Sequence, residues 1–292
     1  MRTSILNFFD SLICTIIDKN VKSPQLFILG LPRSGATLIY QYIVHRLHVA
    51  YFTNGAGNKH TMPVTTIFLQ KIFRKHYVSD FKSNYGRVAG PMAPREAGRI
   101  WNRFFDPDRF QTYEDISESK RRKLYNMILC IQKIFGDVPF VNKNVRNSLH
   151  IDALSKIFPN SYFLVVERNT EDVALSILRA RKLTHGDYNI WFSVKPRNYE
   201  QIKNLSIPEQ IYYQIKDITL CINESIKKLS EDRVRKIKYE DFCKEPESVL
   251  NLFSNIFKNV KEKNPPVSHF LSKKQHPNTN LEKELIKLFT NF

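Results

Sequence analysis

The residues of this chain best suited to chemistry stand at Gly30-Leu31-Pro32-Arg33-Ser34-Gly35-Ala36-Thr37. A short apolar run from Gln25 to Leu29 stops at Gly30, and a segment with Leu38, Tyr42 and Leu47 at helical spacing follows the turn. The local reading is strand, tight turn, helix. Backbone N–H groups at a helix start, reinforced by the aligned peptide dipoles, form a ready anion site. The spacing G-x4-G-x-T is that of a nucleotide phosphate loop, but Ala36 stands where such a loop carries lysine. Hydrolysis of ATP or GTP needs that lysine on the β- and γ-phosphates and is therefore disfavoured. Arg33 supplies a cation three residues earlier. Pro32, Arg33, Ser34, Gly35, Ala36, Thr37 and Leu38 are the residues expected around the anion. The bland alternative is a plain strand-to-helix connection.

The elements that would hold this loop alternate along the chain. Leu124, Ile128, Ile131 and Phe135 repeat at helical spacing and stop at Gly136; Val138 to Val141 reads as a strand. HIDALSKIFPN reads as a helix ending at Pro159, SYFLVVER as a buried strand, and EDVALSILRARK as another helix. Ile211, Ile215, Ile218, Ile222, Ile226 and Leu229 mark a long helix; VRKIKYEDF and EPESVLNLFSNIF give a last strand and helix. This β-α-β-α succession predicts an α/β fold with a parallel sheet flanked by helices in three layers, all in one domain. Residues 1–24 are expected to form an amphipathic helix packed on the core, with Ile5, Phe9, Leu12 and Ile16 on one face and Asp10 interrupting. Residues 25–292 are expected to form the main domain, with insertions at about 48–115 and 182–206.

The loop also carries a resemblance. Pro-Arg-Ser-Gly-Ala-Thr-Leu resembles the 5'-phosphosulfate loop of PAPS-dependent sulfotransferases, usually Pro-(Lys/Arg)-Ser-Gly-Thr-Thr. Ala36 departs from the first Thr and removes one hydroxyl contact. SYFLVVERNTEDVALSILRARK is similar to the family's 3'-phosphate segment, in which a strand-end Arg and a Ser eight positions on clamp that group; here these are Arg168 and Ser176. A charge-assisted fork and a hydroxyl on one phosphate distinguish PAPS from ATP. Asn169-Thr170 replaces the usual Asp-Pro or Asn-Pro. VNKNVRNSLHIDALSKIFPNS resembles a Lys-bearing strand end, which puts Lys143 near the bridging oxygen. VRKIKYEDFCKEPESVL resembles a late strand whose Tyr239 lies near the nucleotide. FKSNYGRVAGPMAPREAGRIWNRFF is similar to a segment of some bacterial family members. The likeness spans roughly residues 25 to 257 and implies transfer of a sulfuryl group to a hydroxyl or amine acceptor, with PAPS as co-substrate and PAP as product.

Sulfuryl transfer through a loose in-line transition state asks the protein for positioning and charge stabilisation, by the logic of phosphoryl transfer. Arg33 and Lys143 are the expected stabilisers of charge on the departing oxygen. A hydroxyl acceptor must also lose a proton, and Glu96 leads the candidates for general base, with His48 and His60 behind it. The family's tyrosylprotein members place a Glu about twenty residues past the loop Ser; Asn54 stands there in this chain. Trp191, Phe192, Lys195 and Arg197 are expected to meet the acceptor, and Lys120 to Lys123 to form a solvated face. No spacing suits a metal, so no metal is expected.

The net charge of +17 attracts polyanions and points to an anionic glycan or glycolipid acceptor. The four scattered cysteines suggest a reducing compartment, read as the cytoplasm. The N-terminal apolar stretch is too short to span a bilayer, which leaves peripheral membrane contact open. Two other classes compete. A nucleotide kinase or NTPase would explain the loop but lacks its lysine. A nucleic-acid-binding protein would explain the charge, but no binding module accompanies it, so no nucleic-acid partner is expected.

Overall fold

The computed structural model describes residues 10–73, 77–84 and 86–290. Four strands form one parallel sheet: β1 (Gln25–Gly30), β2 (Phe140–Lys143), β3 (Tyr162–Glu167) and β4 (Val234–Lys238), in the order β2-β1-β3-β4. Every residue of β1 is buried, as a central parallel strand covered on both faces requires. Its single polar side chain is satisfied: Gln25 donates from Nε2 to Gln132 Oε1 at 2.8 Å. Helices α1 (Ala36–Arg46), α2 (Glu118–Phe135), α3 (Ile151–Ile157), α4 (Thr170–His185) and α5 (Ile207–Ile226) flank the sheet. The α/β single-domain architecture expected from the sequence is the one found.

Strand order creates the site. The chain leaves β1 toward β2 on one side, whereas it leaves β3 toward β4 on the other. Their carboxyl ends therefore diverge, opening the crevice where open α/β sheets bind ligands. Gly30 pairs with Val166 and Ile28 with Lys143, so the residues following β1 and β3 and the end of β2 reach similar heights.

Element boundaries differ from expectation in three places. β2 starts at Phe140 rather than Val138 and extends to Lys143. The stretch VRKIKYEDF is strand only to Lys238; Tyr239–Lys244 turns into a short helix, α6. EPESVLNLFSNIF splits into Ser248–Asn251 and Ser254–Phe257. The split falls at Leu252-Phe253, where Phe253 turns inward and is buried in a non-helical conformation.

The N-terminal helix exists, but its expected phase is wrong. Ile5 and Phe9 lie outside the described residues, and residues 10–16 are helical. Leu12 and Ile16 are 45% and 76% exposed, while Asp10 is buried and Ile13, Cys14 and Ile17 pack on the core. Asp10 does not interrupt the core-facing stripe; it belongs to it. Its carboxylate accepts hydrogen bonds from Val64 N (3.3 Å), Thr65 N (2.8 Å) and Thr65 Oγ1 (2.8 Å), capping the helix Pro63–Ile72. Burial raises the pKa of this carboxyl against the opposing pull of those bonds.

An aromatic and amide knot ties the middle region to β2. Trp101 meets Phe27 and Phe52, and its Nε1 donates to Asn142 Oδ1 at 3.1 Å. Asn142 Nδ2 in turn donates to the Arg95 carbonyl at 3.3 Å, and Arg95 N donates to Phe52 O at 2.9 Å. The knot fixes the backbone on either side of Glu96.

Candidate active site

A cleft of about 550 Å³ opens at the carboxyl ends of β1, β2 and β3. The loop after β1 forms its floor, with three positive φ angles in six residues: Gly30 (148°), Arg33 (70°) and Gly35 (89°). A Cβ on Gly30 would stand 2.8 Å from the Val166 carbonyl oxygen. One on Gly35 would fall 2.1 Å from the Tyr239 ring, so only glycine fits there. Gly35 is also the N-cap of α1 and makes no side-chain cap bond. Leu38 N donates to the Gly35 carbonyl at 2.9 Å, so in the first turn the N–H groups of Ala36 and Thr37 are left for an incoming anion. Ser148 braces the loop from below: its Oγ accepts from Gly30 N and donates to Gly30 O, each at 3.3 Å.

The two expected anion elements, more than 130 residues apart in sequence, touch. Arg168 Nη1 donates to the Arg33 carbonyl at 3.1 Å, and Arg33 Nε donates to Ser176 Oγ at 2.9 Å. The guanidinium of Arg168 lies 4.7 Å above the Tyr239 ring and 3.9 Å from Asp172 Oδ2. Burial pushes the Tyr239 phenol up to about 12, so it stays protonated. Ser34 Oγ and Arg168 Nε are buried without a hydrogen-bond partner. Orphaned polar atoms of this kind cost roughly 1–3 kcal/mol each, a cost a ligand would remove.

On the other wall, Lys143 Nζ pairs with Glu96 Oε1. The lysine side chain is 6% exposed and the carboxylate 31%, so the pair has a dry side and a wet side. Thr37 faces the same spot: a Cβ on Gly86 would stand 3.6 Å from Thr37 Oγ1 and 3.3 Å from Glu96 Oε1. Arg33, Lys143, Glu96, Pro32 through Leu38, Arg168 and Tyr239 all line the cleft. Ser176 reaches it through Arg33. Ala36 is buried with its methyl in the core, where a threonine hydroxyl would have stood.

Other expected residues lie elsewhere. The His48 ring contacts the Phe135 carbonyl at 2.7 Å in a separate hollow beside Lys71 and Lys263. The His60 Nδ1 is buried and its carbonyl accepts from Arg103, away from the cleft. Neither histidine lines the cleft. Trp191 packs under Arg181 and against Tyr199. Lys195 pairs with Asp108, and Arg197 with Asp217 and Glu224. Of that group only Phe192 reaches the cleft. Lys120, Arg122 and Lys123 are exposed, whereas Arg121 of the same run is half-buried over the Tyr113 ring, 3.9 Å from its centre. Phe81, Phe270 and Leu271 were not anticipated; they form an apolar rim on segments without periodicity. Among the described residues no helix is long and apolar enough to cross a membrane, and no group of three His, Cys, Asp or Glu could hold a metal.

Known proteins resemble the chain in fold and in family. A sulfotransferase from Mycobacterium avium superposes with a TM-score of 0.56 at 14% identity, over 97% of this chain and 70% of that one. A second, from Mycobacterium tuberculosis, gives 0.52 at 10% identity over 99% and 76%. A third, from Alicyclobacillus acidocaldarius, gives 0.50 at 14% identity over 92% of each chain. No curated protein matches the sequence. At such identities the structures speak for the fold; the family model for sulfotransferases, however, matches residues 24–252, most of the chain. On that match the chain belongs to the sulfotransferase family.

Proposed function

We propose that the protein moves a sulfuryl group from PAPS to a hydroxyl acceptor. The observation that carries this reading is the junction of Arg33, Arg168 and Ser176, which joins a phosphosulfate-type loop to a cationic clamp beside it. The residues suit the nucleotide: Ser34 Oγ and Arg168 Nε are buried without partners, and Gly35 leaves a helix start uncapped.

In this reading the loop, with Ser34, Thr37 and the first-turn N–H groups, holds the 5'-phosphosulfate, while Arg168 and Ser176 hold the 3'-phosphate. Tyr239 fixes the plane of the Arg168 guanidinium from beneath. PAPS supplies the sulfuryl group, on a bridge whose phosphate oxygen becomes negative as the S–O bond breaks. Lys143 and Arg33 offset that charge from the dry side of the cleft. Glu96 takes the proton from the acceptor hydroxyl as its oxygen bonds to sulfur.

Thermal unfolding with PAP, 5'-AMP, or ATP plus Mg²⁺ tests the donor side. At a hundred times its dissociation constant a ligand adds about 2.7 kcal/mol of stability. PAP should give that shift, 5'-AMP far less, and Arg168→Ala should abolish the difference. Equal shifts from PAP and 5'-AMP, or a larger one from ATP, would defeat the assignment.

A further inference from the structure

Beside the cleft lies a second hollow of about 960 Å³, and the two share Gly86 and Glu96. Arg87, Arg95 and Arg99 line it, with Gly90 and Gly98 opening its wall. Arg87 is held at the end of a tight turn, its N–H and carbonyl both bonded to Asn84. Arg95 lies across Gly57, where a Cβ would stand 2.3 Å from Arg95 Cδ. A fourth guanidinium approaches from the segment after Lys143: Arg146 Nη1 is 3.7 Å from the Cβ position of Gly98.

These arginines differ from others in the molecule in what they face. Arg46, Arg179 and Arg197 each meet one or two carboxylates. Among the described residues no carboxylate lies within ion-pair distance of Arg87, Arg95, Arg99 or Arg146. The side-chain hydrogen bonds of Arg95 go to neutral acceptors, the Asn54 carbonyl and Asn58 Oδ1. Glu96, the one acid on the wall, is taken by Lys143. Burial, with Arg87 and Arg99 beside it, holds the Arg95 guanidinium below the ordinary arginine range. Like charges crowded into a concavity repel one another and raise the local concentration of anions. Their planar forks suit carboxylate, sulfate and phosphate oxygens.

We infer that the hollow is the acceptor subsite for an anionic group, so that the acceptor is a hydroxyl compound carrying a carboxylate or sulfate. This rests on the sulfotransfer reading for its reaction, though not for its binding. With the anion among Arg87, Arg95 and Arg99, the rest of the molecule passes over Gly86, where the missing side chain leaves room. Its hydroxyl then meets Glu96 and Thr37, the two groups that converge on that glycine. Net charge alone pointed to an anionic acceptor; the hollow names the residues and the side from which it enters.

The test uses three matched probes: p-nitrophenyl β-D-glucuronide, p-nitrophenyl β-D-glucoside 6-sulfate, and the neutral p-nitrophenyl β-D-glucoside. Dissociation constants are measured by titration calorimetry on the whole protein, without and with PAP. At least one anionic probe should bind about tenfold more tightly than the neutral one, the scale of one charge-assisted hydrogen bond. Which of the two does so identifies the anion. In the Arg87→Ala/Arg99→Ala double variant, both positions being exposed, the gap should close to about twofold while the PAP-induced thermal shift stays unchanged. Equal affinities in the natural protein, or a preference that survives the double variant, would overturn the inference. Because the probes are also measured without PAP, a protein that discriminates among them yet ignores PAP would sink the donor reading and leave this one standing.

Discussion

The two walls of the cleft are built by different means. The side we assign to the donor rests on a backbone loop, bent by Gly30 and Gly35 and clamped between Ser148 and Tyr239, at the end of a fully buried strand. The side we assign to the acceptor is lined by side chains on irregular segments, Phe81, Glu96, Phe192 and Phe270, none of them on a strand. The loop's glycines and the side chains of Ser34, Thr37, Arg168 and Ser176 would meet the anion together, so in this reading the donor wall tolerates little change of shape or of sequence. The acceptor wall is the reverse, and it is the part of the fold free to vary with substrate.

The sharpest way to break this contrast is Gly35→Ala. The added methyl would meet the Tyr239 ring in a backbone conformation that L side chains rarely adopt. PAP-linked stabilisation and sulfuryl transfer should both vanish, as calorimetry and labelled PAPS would reveal; retention of either would show that the shape of the loop is not what holds the nucleotide. Lys143→Met removes charge but keeps most of the volume. Turnover should fall by about 10²–10³-fold, the effect of removing one electrostatic stabiliser, with PAP affinity nearly unchanged. A loss of PAP affinity of the same size would move Lys143 from the reaction to ground-state binding.

The smallest effect concerns acid. His150 stacks on Phe105 at 4.4 Å and contacts the Arg109 carbonyl, joining the acceptor-side segment to the turn after β2. Burial lowers its pKa from 6.5 to about 4. The folded state therefore binds fewer protons than the unfolded chain between those values, and stability falls as pH drops from 6.5 to 4. The loss should reach about 3 kcal/mol at most and should be absent in His150→Gln, measured by denaturant unfolding at pH 7 and pH 4.5. Hydrogen exchange should show residues 98–109 opening before β1; simultaneous opening would remove the distinction between the walls.

The same contrast decides what could be read from the sequence. The loop after β1 and the strand end at Arg168 were legible because buried parallel strands read as continuous apolar runs, and because Gly, Ser and Arg at a helix start have few other uses. Glu96 was reachable only as the acid between two motifs, since the knot that sets it beside Lys143 is tertiary. Ser148 gave no signal, its partner being a backbone group 118 positions away. Phe270 and Leu271 lie in a segment without periodicity. Trp191, Lys195 and Arg197 looked like an acceptor rim by composition, but Asp108, Asp217 and Glu224 claim both cations. For the N-terminal helix the period was right and the phase wrong, because Asp10, read as a break, is a cap for another helix.

Arg33 carries a further consequence. It holds a left-handed conformation, φ 70°, that glycine would adopt at about 1 kcal/mol less cost. Its backbone and its side chain thus favour different residues, the turn glycine and the bond to Ser176 arginine. A lineage under pressure for heat resistance alone would drift toward glycine at this position and would lose the cation that bridges to Ser176. In the sulfotransfer reading, arginine at this position keeps the cation that bridges to Ser176 against the conformational preference of its own backbone.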